Sequence, residues 1–380
     1  MNRLVLKAVI PYLSVLLLAL ASFSPEAEGV NIGIVFDGPS DLNAKALTAY
    51  KKEISDLTEG EFTVRFPENK IITADWTTAG VAAAINRELT DPGVDIVITL
   101  GVIGSAEAAI KSALPKPVIA PWVIDPELLG LKPSKGGGSG VRNLYYLSRP
   151  KVLGKDIKKF RQIVGFHKMT ILYMPFLKDL LPGIENSVRR IGAEEDVVIT
   201  LVPVKPSVAE TLASIPPDAQ AVYITPLLNY TDADKAELYD GLIEKKLPSF
   251  SMLGKGEVDI GALVGLAPDH DFTREARRVA LVVQSILLGN AAGDYPVDFS
   301  EEELLTINMA TAHAINFSPS WSVLTEAALI NEEPAQKGRT LTLEQAVNES
   351  VEVNLDLLAA NQTVAAGAQD IKLAMSQLLP

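Results

Sequence analysis

The chain has 380 residues, of which 48% are hydrophobic and 21% charged, and its formal net charge is −13. This is the composition of a folded protein with room for two globular units, and it excludes a largely disordered chain. The acidic balance argues against nucleic-acid binding, which needs a basic patch, and the absence of cysteine excludes disulfides, thiolate metal sites and cysteine nucleophiles.

Arg3 and Lys7 form a positive start, and Ala8 to Ala21 is an apolar run. Ala19 and Ala21, or Ala27-Glu28-Gly29, supply small residues for cleavage. Residues 1–29 therefore read as a secretory signal peptide, too short and too weakly flanked for a stable membrane span, which predicts a periplasmic location. The alternative for this stretch is an uncleaved anchor.

Val30 to Phe36 (VNIGIVF) is a continuous apolar run, the mark of a strand covered on both faces, and it ends in the turn cluster Asp37-Gly38-Pro39-Ser40. Asp41 is placed to cap the next helix, which carries Leu42, Ala46, Ala49 and Ile54 on one face. Phe62 to Phe66, Val94 to Leu100 and Pro117 to Ala120 are predicted strands, with a helix over Thr77 to Leu89 and another after Gly101-Val102-Ile103-Gly104-Ser105. Alternation stops at Trp122 to Gly140, Val141 to Leu147 is extended, and Pro150 starts a helix. A second alternating set follows, with strands at Met169 to Tyr173, Val197 to Val202 and Ala221 to Thr225. Its helices are Lys151 to Val164, Leu181 to Ile191 and Asp232 to Lys245. Gly261 to Gly265 reads as a buried strand, followed by the polar loop Asp269-His270-Asp271. Then comes a helix with Ala276, Val279, Ala280, Val283, Ile286 and Leu287 at helical spacing, an extended Tyr295-Pro296-Val297, and a strand over Leu304 to Asn308.

Two such sets predict an α/β fold of two doubly wound parallel-sheet lobes joined by a multi-crossing hinge, plus one long C-terminal α-helix. The expected divisions are lobe 1 over 30–146 and 270–295, and lobe 2 over 147–269 and 296–330. A linker spans 331–340 and a helical segment 341–380. In the last, Thr342 and Gln345 fit a capping box, and Val347, Val351, Leu355 and Leu358 form an apolar stripe.

Ligands in parallel α/β sheets sit beyond the carboxyl ends of the strands, which directs attention to the turns there. The N–H groups of Gly101 to Ser105 either cradle a carboxylate or only make a tight turn. Asp37, Asp125, Asp269 and Asp271 each either pair with a ligand ammonium or cap a helix. Trp122, Tyr145, Tyr146, Phe176 and Phe272 either wall an apolar ligand or belong to the core. We expect Asp37, Ser105, Asp125 and Asp271 in one interlobe cleft. His167, His270 and His313 lack metal-ligand spacing, and there is no GxSxG elbow, so no metal, cofactor or catalytic group is expected.

Several stretches resemble the periplasmic substrate-binding proteins of ABC transporters, in the group that includes tryptophan-type amino-acid binders. They are Gly261-Ala262-Leu263, Asp271-Phe272 (the family has tyrosine second), Ile286 to Gly289, Tyr295-Pro296-Val297, and Asn308, Ala312, Pro319, Leu324 and Ala327 in a final helix pair. Ile124-Asp125-Pro126 and Gly137 to Gly140 resemble that family's T-D-P and glycine-rich segment. The resemblance covers Val30 to Ile330 and implies a type I periplasmic binding fold that captures an amino acid or similar small molecule for an inner-membrane permease. The expected ligand-binding set also includes Gly38, Gly101 and Gly104 from the strand-end turns, together with Thr225, Asn229 and Phe272. Leu227-Leu228-Asn229 departs from the family's polar Asn-Thr pair. Separately, LTLEQAVNESVEVNLDLL and IKLAMSQLLP resemble the first helix of TolC-like outer membrane efflux proteins, with Leu355 in place of a proline. That implies an alternative: an envelope efflux or sensing component with outer-membrane partners for its C-terminal helix.

Overall fold

A computed structural model describes residues 29–148, 152–268, 272–299, 303–332, 342–343, 345 and 355–376. The expected signal peptide, Asp269, His270, Asp271 and most of the expected linker lie outside the described residues.

The first lobe runs β1 (Val30–Phe36), α1 (Asp41–Thr58), β2 (Val64–Arg65), β3 (Ile71–Thr73), α2 (Thr78–Thr90), β4 (Ile96–Leu100), α3 (Val102–Ala109), β5 (Val118–Val123) and β6 (Leu144–Ser148). Its sheet has the order β2-β1-β4-β5-β6, with β3 also on β1, and every pairing is parallel. The apolar run of β1 is covered on both faces, as its composition requires. Ile32, Ile34 and Phe36 pack with Tyr50 and Ile54 of α1, whereas Val35 joins Ile85 of α2 and Ile103 of α3.

The second lobe runs α4 (Val152–Val164), β7 (Lys168–Tyr173), α5 (Phe176–Leu180), α6 (Ile184–Glu194), β8 (Val198–Pro203), α7 (Val208–Ser214), β9 (Ala221–Ile224), α8 (Asp232–Glu244), β10 (Ser249–Ser251), α9 (Lys255–Val258) and β11 (Val264–Gly265). The chain then returns to the first lobe as α10 (Thr273–Leu287), whose Ala276, Val279 and Val283 join the α1 face of the core. It crosses once more into β12 (Thr306–Asn308), α11 (Met309–Ala314), α12 (Trp321–Glu326) and β13 (Ala328–Ile330). The second sheet has the order β13-β12-β11-β10-β9-β7-β8. It is parallel except between β11 and β12, because the chain re-enters from the hinge and runs back down the sheet. Two of the crossings lie side by side: Ser148 N–H donates to Val297 O at 2.9 Å and Phe299 N–H to Ser148 O at 3.1 Å.

Several sequence expectations are corrected. Ser40, not Asp41, caps α1: it has extended backbone angles and its Oγ accepts from Leu42 N, whereas Asp41 is already helical. The expected helix over Leu181 to Ile191 is α6, which starts at Ile184, and a separate short helix, α5, precedes it unforeseen; only Val264–Gly265 of Gly261 to Gly265 pairs in the sheet. The final helix pair stops at Glu326, and Ala328–Ile330 is an edge strand on β12. The three-residue strands β3, β10 and β13 are too short for a period-two pattern to stand out.

The chain divides into two compact units at Asn331/Glu332. In the second, Thr342 N–H donates to Gln345 Oε1 and Gln345 N–H to Thr342 Oγ1, the expected capping box. Helix α13 covers Leu355–Ser376 and passes through Gly367 without a break. Val347 and Val351 of the expected stripe lie outside the described residues, and only the backbone of Leu355 and Leu358 is described. Among the described residues no helix is long and apolar enough to cross a membrane.

Candidate functional site

The carboxyl ends of the two sheets face each other across a cavity of about 140 Å³. The first lobe contributes Leu42, Val102, Trp122, Ile124 and Phe272 to its wall. The second contributes Val152, Pro226, Leu228, Met252, Leu253 and Ala267. All eleven of these side chains are apolar or aromatic.

Trp122 is the centre of the wall, and local chain chemistry places it there. The β5–β6 register shifts between Ala120 and Val123, a span that holds Pro121, which has no N–H to give the ladder. Trp122 N–H is diverted to Ser105 Oγ at 3.0 Å, and that hydroxyl donates to Thr99 O at 3.1 Å. The indole Nε1–H donates to Glu275 Oε1 at 2.5 Å, and Tyr50 donates its hydroxyl to the same oxygen. The ring stacks on Phe272 with centroids 5.6 Å apart and packs against cores of both lobes. Phe272 sits at φ +58°, where a residue with a Cβ is strained by roughly 1–2 kcal/mol. Backbone strain of this kind collects where the surroundings hold a side chain in a required position.

Asp37, at the end of β1, is almost fully buried. Its Oδ2 accepts from Ile103 N at 2.7 Å and its Oδ1 from Gly104 N at 2.8 Å, so its carboxylate occupies the first turn of α3. Burial pushes its pKa up from 3.8 to about 6, against the opposing pull of the backbone N–H groups. Gly101 permits the approach: a Cβ there would lie 2.2 Å from the Asp37 carboxyl carbon. A chamber of about 10 Å³, bounded by Asp37, Ser40, Asn43, Trp76 and Gly101, lies beside this carboxylate. It shares Leu42, Trp122 and Leu228 with the apolar cavity. Trp76 also stacks on Phe176 of the opposite lobe, with centroids 6.3 Å apart.

A wider groove of about 440 Å³ adjoins the cavity through Ile124, Val152, Pro226 and Met252 and carries Asp125, Thr225, Lys158 and Arg190 on its walls.

The expected ligand set is thus distributed over several places. Asp37 and Gly101 border the small chamber, Gly104 supplies an N–H to Asp37, and Phe272 walls the cavity. Gly38 lies under Trp76, where a Cβ would meet the indole nitrogen at 2.3 Å. Ser105 is fully buried and positions Trp122 from behind. Asp125 accepts from Glu127 N and Leu128 N in a turn beside the wider groove, which Thr225 also lines. Asn229 is exposed and borders none of these spaces, and Asp271 lies outside the described residues. Of the aromatic candidates, Tyr145 and Tyr146 are core, with the Tyr145 hydroxyl accepting from Arg278 Nε at 3.1 Å. The residues missed were Glu275 and the apolar wall of the second lobe. Glu275 had a signal, since it lies three positions after Phe272 and next to Ala276 on the buried stripe of α10. Among the described residues no group of three side chains is placed to hold a metal ion.

Neither a known family profile nor a curated protein matches this chain. Its architecture is nevertheless similar to solved structures. One is the ABC domain in complex with L-Trp from Streptococcus pneumonia, at a TM-score of 0.64 and 16% identity over 80% of this chain and 99% of that one. A conserved domain protein from Vibrio cholerae gives 0.63 and 16% over 80% and 99%. The ligand-free, open form of a substrate binding protein with adhesive properties from Clostridium difficile gives 0.52 and 14% over 80% and 100%. At such identities the likeness concerns the fold, which is the type I periplasmic binding fold: two α/β lobes on a crossed hinge.

Proposed function

We propose that this chain is an exported binding protein that captures a small molecule between its two lobes and presents it to an ABC permease in the inner membrane. The observation that carries the reading is the apolar cavity at the facing strand ends, walled by a Trp122–Phe272 stack that Glu275 holds in place. A concave, largely apolar space with a few fixed polar groups is what a small-molecule site requires. A neighbour of the same fold holds L-Trp, which supports a ligand of amino-acid size with an apolar or aromatic body. The basic and apolar start of the chain supports export. No catalytic role is assigned to any residue.

A second reading, an envelope efflux or sensing component, draws on α13. Val364, Ile371 and Met375 of that helix are exposed and fall on one face at helical spacing, an arrangement that suits a partner helix.

A thermal-shift screen of the purified exported chain against amino acids, amines, nucleosides and small acids tests the capture reading. A ligand at 100 times its Kd should add about 2.7 kcal/mol of stability. If no compound in the screen moves the melting point, the reading falls.

A further inference from the structure

A helix N-terminus beside a cleft ordinarily offers its free N–H groups to an incoming anion. Here that place is already taken. The N–H groups of Ile103 and Gly104 are spent on Asp37, and Gly101 exists as glycine where any Cβ would push the Asp37 carboxylate out. A carboxylate arriving in the cleft would find these donors occupied and a like charge in front of it. The described residues bordering the cavity and the chamber include no lysine, arginine or histidine to offset that charge.

What Asp37 can do is accept further hydrogen bonds. A carboxylate has about four lone-pair sites; the Ile103 and Gly104 N–H groups use two of them and the Val102 N–H leans on a third, which leaves at least one. The chamber beside it, about 10 Å³, has the room of roughly one water-sized group. An ammonium is a single heavy atom and fits that room, whereas a carboxylate brings three. Beyond the chamber the space turns apolar, through the shared Leu42, Trp122 and Leu228, into a cavity of about 140 Å³. A dry apolar cavity of about 150 Å³ is large enough for a benzene ring.

We infer that Asp37 sets the ligand class: the cleft takes a small aromatic or branched aliphatic primary amine that carries no carboxylate, with its ammonium on Asp37 and its body against Trp122, Phe272 and Leu228. This deepens the capture reading and rests on it. Asp37 thereby serves as a specificity determinant as well as a brace for α3.

The test is calorimetric titration of the purified exported chain with four probes that share one ring: phenethylamine, phenylalanine, 3-phenylpropionate and ethylbenzene. A parallel set is isoamylamine, leucine and 4-methylpentanoate. The expected result is that each amine binds at least about tenfold more tightly than the matching amino acid, because the extra carboxylate would be buried without a partner beside Asp37, and that the acids do not bind. Asp37→Asn should weaken phenethylamine by about tenfold or more and leave ethylbenzene unchanged. Asp37→Ser, which frees the α3 donors, should admit phenylalanine. If phenylalanine, leucine or either acid binds the unaltered chain more tightly than its amine, the inference is overturned while the capture reading stands. If no probe of either set binds, the inference is overturned, and a blank result in the wider screen as well would remove the capture reading. The ranking on the unaltered chain decides the matter even if a variant fails to fold.

Discussion

The two lobes share an architecture yet meet at the cleft with opposite chemistry. In the first lobe the strand ends carry Asp37, Gly38, Gly101 and Ser105, and their polar groups are satisfied within the lobe. In the second lobe the corresponding rim is Pro226, Leu228, Met252 and Ala267, with an apolar face. The fold fixes where a ligand can sit, and the loops decide what it can be. Apolar side chains come from both lobes, but the buried carboxylate beside the cavity, Asp37, comes from lobe 1; on the proposed reading the ligand's polar end belongs there and its body between Trp122 and Phe272 of lobe 1 and Leu228 of lobe 2. The same contrast extends to buried charge. Asp37 rests on two backbone N–H groups at a helix start, whereas Asp156 in α4 accepts one bond, from the Tyr223 hydroxyl at 2.7 Å. Fewer donors leave Asp156 closer to the penalty of burial, and its pKa is pushed from 3.8 to about 7, compared with about 6 for Asp37.

The largest expected effect tests that difference in charge. A carboxyl whose folded pKa is raised favours the folded state fully below its unfolded value and loses that advantage as pH rises through the folded pKa. For Asp156 the window runs from about pH 4 to about pH 7, and the shift amounts to about 4 kcal/mol at 1.36 kcal/mol per unit. Asp37 adds a loss of the same sign between about pH 4 and pH 6. Urea melts should therefore show the chain less stable at pH 8 than at pH 5. Asp156→Asn, which keeps an acceptor for Tyr223, should remove the larger part of that slope and gain stability at pH 8. A flat profile for the unaltered chain would end the comparison of the two carboxylates.

Trp122→Ala comes next. It removes the ring that packs on both lobes, leaves the Glu275 carboxylate without the indole donor, and exposes Phe272. A fully buried Trp→Ala change costs about 3–5 kcal/mol, and Trp122 is only half-buried, so about 2–3 kcal/mol is expected from denaturant melts. Any ligand-induced rise in melting temperature should vanish with it. A variant that keeps the ligand shift would move the binding site away from this wall.

How much of this was legible in the sequence depends on the range of the interaction. The strand–helix alternation and the buried character of β1 are local patterns, and both appear in the structure. Asp37, Gly101 and Phe272 were marked because they follow strands. The role of Asp37 was not legible, because its donors, Ile103 and Gly104, lie on a different βα unit. The second lobe's wall was hidden for another reason: Leu228 and Met252 have the composition of core residues, and only the lobe opposite makes them a lining. Ser105 was expected at the ligand because it follows a strand in a glycine-rich turn, but its hydroxyl is spent inside the lobe on Trp122 and Thr99.

The smallest expected effect sets that hydroxyl against its counterpart in the second lobe. Ser105 and Thr225 both follow a central strand, and both were expected to touch ligand. Ser105→Ala would leave the Trp122 N–H without an acceptor, at a cost of about 1–2 kcal/mol, and would loosen the ring that walls the cavity. Thr225 differs. Its hydroxyl donates to Leu172 O at 3.1 Å, and the same carbonyl also accepts from Thr225 N–H at 3.1 Å. Thr225→Val therefore strands no polar partner, nearly preserves volume, and should cost less than about 1 kcal/mol. It should also change ligand affinity by no more than about twofold, which is under 0.5 kcal/mol, because Thr225 borders the wider groove and not the apolar cavity. Paired melts and titrations of the two variants measure the contrast directly. If Thr225→Val weakened the ligand more than Ser105→Ala did, the ligand would have to lie in the wider groove beside Asp125, and the placement of its polar end on Asp37 would fall.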